Sequence, residues 1–287
     1  MGPVTAMPTF DTAQPITATI DLGVGAVRIV ASERATTAID VRPTDTSDPE
    51  DRRVSDLTRV EYADGRLLVK APRPRNWLSR SGGGSIDVTI ELPAGSDVHG
   101  NGAAADFDCD GPIGECRIKS GLGHIRVDEA GKLAVRSGLG DISVERVTGA
   151  ADITTGSGDV RAHELEGTAV VRNSNGATWI GVAGADLRVN AANGGIAVDV
   201  AHATVVAKSA NGDITLREVM RGTVVLETRL GHLEVGIPEG TAAFLDVRSS
   251  AGRLYNSLEA TDAPAASAET VEVRGRTSAG DIVIRRP

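Results

Sequence analysis

Ser120–Val127 reads Ser-Gly-Leu-Gly-His-Ile-Arg-Val, and Ser137–Val144 reads Ser-Gly-Leu-Gly-Asp-Ile-Ser-Val. The phrase returns as Thr-Gly-Ser-Gly-Asp-Val at Thr155–Val160 and Ser-Ala-Asn-Gly-Asp-Ile-Thr-Leu at Ser209–Leu216. It appears last as Ser-Ala-Gly-Asp-Ile-Val-Ile at Ser278–Ile284. Its second glycine falls at Gly123, Gly140, Gly158, Gly176, Gly194, Gly212 and Gly231, in steps of about 17 to 19 residues. A fixed short period of this kind marks a stack of repeated structural units.

Working outward from the glycine, each repeat holds two strand-like pieces. Before it come apolar pairs such as Leu133/Val135, Ala151/Ile153 and Val205/Ala207; after it come Ile125/Val127, Ile142/Val144 and Ile214/Leu216. Polar residues sit between the members of each pair, a period-2 alternation that a helix cannot present on one face. Two strands and two turns in about 18 residues make one coil of a parallel β-solenoid, with each strand pairing to its counterpart one repeat later at about 4.8 Å. Antiparallel stacking of hairpins is the competing geometry. The expected fold is therefore all-β, a parallel β-solenoid with two short strands per coil. Residues 96–287 form its repeats, as one continuous structural domain with an irregular N-terminal β cap at 1–95.

Within the cap, Leu22–Val30 fits the repeat, and Glu61–Lys70, with Ala-Asp-Gly-Arg at its centre, reads as a β-hairpin. Asn101–Cys109 fits one coil ahead of Ser120, placing Phe107 where later coils carry Ile125 and Ile142. Leu258–Thr270, rich in Ala, Asp and Pro, reads as a loop thrown out from the final coils.

Composition narrows the function. Three Phe, two Tyr and two Trp in 287 residues leave the core to Val, Ile, Leu and Ala. A net charge of −9 speaks against nucleic acid, which needs a basic face. No run approaches the roughly 18 apolar residues of a membrane span, and the first residues lack a secretory pattern. Two cysteines, Cys109 and Cys116, are too few for a disulfide framework or a zinc site. The default location is the cytoplasm, and no cofactor is implied.

The recurring Ser/Thr-Gly-x-Gly-Asp-Ile/Val phrase, with Asn-Ser-Asn-Gly at Asn173–Gly176 and Ala-Ala-Asn-Gly at Ala191–Gly194, resembles a bacterial domain family of unknown function known as a putative adhesin or β-strand-repeat family. The resemblance spans about Phe10 to Pro287. It implies a solenoid that binds a protein or a cell-envelope component, displayed at the cell surface, and it implies no catalytic residues.

Candidate sites follow from the repeat. Asp106, His124, Asp141 and Asp159 occupy one equivalent position in successive repeats, directly after the turn glycine in the last three. Stacked along one edge they can ligate a divalent cation or cap backbone N–H groups, the common role of Asp in a turn. Asn175, Asn193 and Asn211 share another position, which suits a ladder of side-chain amides. Arg73, Arg75, Trp77 and Arg80 form a basic, aromatic-bearing loop within residues 71–85, a candidate partner anchor. Trp179 falls at an outward strand position and marks a second contact patch.

No nucleophile elbow, His-Glu-x-x-His or phosphate loop is present. Polysaccharide-cleaving β-helices require clustered carboxylates and aromatic platforms, which the pattern does not supply. A non-enzymatic binding or scaffold protein is thus the first expectation. A polysaccharide-active enzyme and a cytoplasmic module associating end to end are the alternatives.

Overall fold

The computed structural model describes residues 8–72, 84–258 and 269–287. The chain divides into two compact units, one ending at Gly140 and one beginning at Asp141. Both are parallel β-solenoid windings. In each coil one strand precedes the corner glycine and one follows it, forming a leading wall and a trailing wall with the apolar side chains between them.

The first unit holds β1 (Thr9–Asp11), β2 (Thr17–Ser32), β3 (Thr36–Pro43), α1 (Pro49–Leu57), β4 (Arg59–Ala63), β5 (Arg66–Lys70), β6 (Ser85–Pro93), β7 (Asp97–Leu122) and β8 (Ile125–Leu139). The long strands β2 and β7 bend through corners, so each serves both walls. The first half of β2 pairs in parallel with β5 and its second half with β6, while its other edge pairs with β7. The chain therefore starts in the second coil, steps back to build the first, and then continues. The outer edge of the first coil is closed by antiparallel strands, β4 on β5 and β3 on β6, with β1 on β3.

The expected hairpin is β4–β5. Asp64 (φ 49°) and Gly65 (φ 71°) both take left-handed conformations, as a two-residue turn matching strand twist requires. The helix α1 was not expected in a β cap, although Asp48-Pro49-Glu50-Asp51 carries the signals of a helix start. The Asp48 carboxylate accepts from the Glu50 N–H at 2.7 Å, and Pro49 occupies the first turn. Buried Asp51 ties the helix down, accepting from the backbone N–H of Asp45 (2.9 Å) and of Ser85 (2.6 Å).

The second unit repeats with little variation through β9 (Ile142–Val147), β10 (Ala151–Ser157), β11 (Val160–Leu165), β12 (Ala169–Asn175), β13 (Thr178–Ala183), β14 (Leu187–Asn193), β15 (Ile196–Ala201), β16 (Val205–Asn211) and β17 (Ile214–Val219). It closes with β18 (Gly222–Leu230), β19 (Leu233–Gly236), β20 (Ala242–Ala251), β21 (Leu254–Asn256), β22 (Thr270–Ala279) and β23 (Ile282–Arg285). The leading wall runs β10–β12–β14–β16–β18 and the trailing wall β9–β11–β13–β15–β17–β19, all in parallel register. Inward residues such as Ile142, Val160, Ile180, Ile196 and Ile214 are buried.

The final coils depart from sequence order. The repeat alignment places Leu245/Val247 directly after Val224/Leu226, but β18 and β19 pair instead with β22 and β23. The coil β20–β21 lies outside that last-synthesised coil, paired only to it. Leu254, at a core register position opposite Ile282, is consequently 53% exposed. In both units, then, the coil nearest the terminus of the chain is held between two others.

The corners explain the repeat phrase. Gly123, Gly140, Gly158, Gly176, Gly194, Gly212, Gly231 and Gly280 have φ between 136° and 153°, a region that a side chain disfavours. They also stack on one another. A Cβ on Gly194 would lie 2.0 Å from the Gly176 carbonyl oxygen, and one on Gly212 2.1 Å from that of Gly194. The corner carbonyl is met from the core side by a buried hydroxyl or amide of the following coil. Ser137 Oγ donates to Gly123 O (3.0 Å), Asn173 Nδ2 to Gly158 O (3.1 Å), Thr228 Oγ1 to Gly212 O (3.0 Å) and Thr277 Oγ1 to Gly231 O (3.0 Å). The small-polar column of the sequence is thus the donor set for carbonyls that water cannot reach.

Phe107 stands at the position opposite Ile125, as expected, and is 1% exposed. Its ring is accommodated by Gly100 and Gly102, where a Cβ would come within 2.5 Å and 3.2 Å of it.

Three outcomes follow from this architecture. Gly194→Ala introduces both backbone strain and a carbonyl clash, and should cost at least about 3 kcal/mol in urea unfolding. Gly65→Ala, whose Cβ meets nothing within 4 Å, should cost only about 1–2 kcal/mol for its left-handed φ. Hydrogen exchange should show stronger amide protection in Thr270–Ala279 than in Ala242–Ala251, reversing the usual fraying toward a chain end.

Candidate functional site

The turn carboxylates are engaged in joining coils. Asp106 Oδ1 accepts from the His124 N–H (2.8 Å) in the first unit. In the second, Asp141 Oδ1 accepts from the Asp159 N–H (2.8 Å) and Asp159 Oδ1 from that of Ala177 (2.9 Å). Asp213 and Asp281 do the same for His232 and Arg253. Each of these five carboxylates thereby binds a backbone donor of the neighbouring coil, not one in its own turn. Among the described residues, no group of three or more His, Cys, Asp or Glu side chains is arranged to hold a metal ion.

The amide column forms the ladder its spacing suggests. Asn193 Nδ2 donates to Asn175 Oδ1 (2.9 Å) and Asn211 Nδ2 to Asn193 Oδ1 (2.8 Å). On the outer face of the trailing wall of the first unit, Arg126 bridges Asp108 (2.7 Å) and Asp110 (2.8 Å), and Arg28 reaches Asp110 at 3.1 Å. The Arg126 guanidinium, with Arg28 behind it, holds the Asp110 carboxyl below the usual range against its partial desolvation. All three features are structural staples.

Cys109 and Cys116 are both buried in the first unit, and the hydrogen bond with Cys116, followed by burial, pushes the Cys109 thiol well up. They act as small core residues.

The surface that differs in kind surrounds Trp179, on the outer face of the trailing wall of the second unit. Its ring lies across Gly181, with Cη2 3.3 Å from the point a Cβ there would occupy. His163 packs edge-on against it, centroids 4.8 Å apart at 78°. The indole Nε1 donates to Asp199 Oδ2 (3.2 Å), whose other oxygen faces Arg217 Nε at 3.3 Å. His163 Nε2 in turn lies 3.7 Å from Glu145 Oε2.

One row, Glu145–His163–Trp179–Asp199–Arg217, thus crosses five consecutive strands, β9, β11, β13, β15 and β17, over about 19 Å at the inter-strand spacing. Gly181 and Ala197 provide the flat bed for the indole, since Ala197 is the register partner of Trp179. Trp179 was legible in the sequence. Its neighbours were not singled out, although the 18-residue spacing of Glu145, His163, Gly181, Asp199 and Arg217 is the signal that finds them. Arg73, Arg75, Trp77 and Arg80 lie outside the described residues.

No helix among the described residues is long and apolar enough to cross a membrane. No curated protein matches the sequence. A solved structure from Parabacteroides distasonis, named a putative adhesin, is similar with a TM-score of 0.52 at 15% identity, covering 80% of this chain and 96% of that one. One from Bacteroides fragilis, also named a putative adhesin, gives 0.44 at 16% identity, covering 81% and 98%. A further Parabacteroides distasonis structure, named a putative lipid binding protein, gives 0.44 at 12% identity, covering 80% and 96%. At such identity the first of these shows a shared fold and nothing more. The sequence profile described as Toastrack DUF4097 matches residues 18–282, through the coils of both units, and the chain belongs to that family.

Proposed function

We propose that this protein is a non-catalytic binding module that engages a cell-envelope component through the row centred on Trp179. The observation that supports this reading is the only tryptophan among the described residues, laid flat on a β wall and flanked by His163, Asp199 and Arg217. Trp and Arg are the residues that most often dominate binding energy when a partner covers them. Here the indole is pre-positioned by its bond to Asp199, so little side-chain entropy is lost on contact. A rigid wall presenting a fixed row needs no moving part, and that suits recognition.

Retention of purified protein by isolated bacterial cell envelopes tests it. The wild-type chain should sediment with envelopes, and Trp179→Ala should reduce the bound fraction by at least tenfold with an unchanged melting temperature. Absence of retention, or equal retention of the variant, would remove this reading.

A second reading, self-association, rests on the outermost coil of the second unit. Phe244 (68% exposed), Leu254 (53%) and Tyr255 (47%) lie there, and among the described residues no strand pairs with the free edges of β20 and β21. Unpaired edges of this kind recruit further strands. Sedimentation velocity should then show concentration-dependent growth that Phe244→Lys with Leu254→Lys abolishes; a monomer at all concentrations would dismiss it.

A further inference from the structure

The outer face of the leading wall of the first unit carries a groove of about 490 Å³, within the ~300–1,000 Å³ range of small-ligand sites. Strand register builds it from residues far apart in the chain. Thr19 stands opposite His99 and Asp21 opposite Asn101, while Lys119 stands opposite Arg136 and Arg117 opposite Ala134. The short side chains of Thr19 and Ala134 leave the depression, and longer polar ones rim it.

Its charge is out of keeping with a protein of net charge −9. Three of the four lysines, Lys70, Lys119 and Lys132, project from this face, together with Arg117 and Arg136. Arg117 is neutralised by Glu115 at 2.6 Å. Lys119 and Arg136 make no ion pair among the described residues. By contrast, on the leading wall of the second unit Lys208 pairs with Glu227 (2.8 Å), Arg172 with Asp152 (3.1 Å) and Arg274 with Glu272 (2.7 Å). His99 also lines the groove, and its Nε2 is buried behind this lining without a hydrogen-bond partner.

We infer that this groove binds an acidic sugar, a uronate residue of an oligosaccharide. Lys119 and Arg136 are adjacent across two strands, about 4.8 Å apart at the backbone, a spacing that lets both reach one carboxylate. Asp21, bonded to Asn101 Nδ2 at 3.0 Å, adds a negative charge to the same groove. That charge opposes a phosphate dianion or a polyanion, yet it offers an acceptor for sugar hydroxyls. Thr19, Asn101 and His99 supply further hydroxyl partners. A single carboxylate carried on a ring of hydroxyls is the chemistry that matches two cations, one carboxylate and the polar side chains beside them. This inference uses none of the Trp179 row and stands or falls separately from it.

Isothermal titration of the full chain with tri-galacturonate tests it, with maltotriose and inorganic phosphate as comparisons. Tri-galacturonate should bind with a Kd of about 0.1–1 mM, or roughly −4 to −5.5 kcal/mol, and weaken with added salt. Lys119→Ala with Arg136→Ala should weaken it at least tenfold, while Lys208→Ala should leave it unchanged. Thr19→Trp, which fills the groove without altering charge, should weaken it as much. Unchanged melting temperatures would separate these effects from misfolding. No binding of tri-galacturonate, equal binding by the double variant, or equal binding of maltotriose or phosphate would overturn the assignment.

Discussion

The stacked corner governs the rest of the structure. A chain turning sharply between two strands every nine or so residues places a carbonyl on the inside of the bend, where water is absent. Glycine solves the geometry, because at φ near 140° the backbone turns without a side chain and the next glycine can sit on its carbonyl oxygen. The exposed problem of the carbonyl is then met by Ser137, Asn173, Thr228 or Thr277 from the following coil. Leaving such a group unpaired costs about 1–3 kcal/mol, and the requirement recurs at every coil. The glycine and the small polar residue three positions before it are therefore one device, each meaningless without the other.

Once the corners are locked in register, every other position inherits a column. Inward columns become the aliphatic core, and the turn position becomes a line of carboxylates that accept the next coil's N–H. Outward columns become surfaces on which residues about 18 apart in sequence are neighbours. The same rule produces the amide ladder at Asn175, Asn193 and Asn211 and the Arg28–Asp110–Arg126 bridge. A feature unlike its column, such as Trp179 among Arg161, Ala197 and Thr215, therefore stands out against a regular background.

This regularity explains what could be read from the residues alone. Period-2 alternation and the spaced glycines revealed the parallel coils, the place of Phe107, and the cap hairpin at Asp64–Gly65, since each rests on local geometry. The order of the last coils was hidden, because Leu245/Val247 and Val273/Gly275 satisfy the same alternation and only pairing energy decides which lies inside. The coil at Thr270–Ala279 takes the inner place with Val271 and Val273 fully covered, whereas Phe244, Leu254 and Tyr255 of the other coil remain exposed. The helix at Pro49–Leu57 was passed over for a different reason: its start signals were present, but a nine-residue helix with buried Asp51 as its anchor shows no apolar stripe. The groove lay beyond a linear reading, since Thr19, His99, Lys119 and Arg136 share no motif and meet only through register.

A surface assembled from columns has a geometry of its own. A β wall projects its side chains in parallel, at intervals of about 4.8 Å along the stack. Such a surface matches an extended or flat target, contacting it at several rungs at once. Along the row from Glu145 to Arg217, an acidic residue lies on either side of the indole, Glu145 and Asp199, and basic Arg217 lies beyond Asp199. On the reading proposed above, a partner that covers the aromatic face also meets these charges, a combination that gives selectivity without any group having to move.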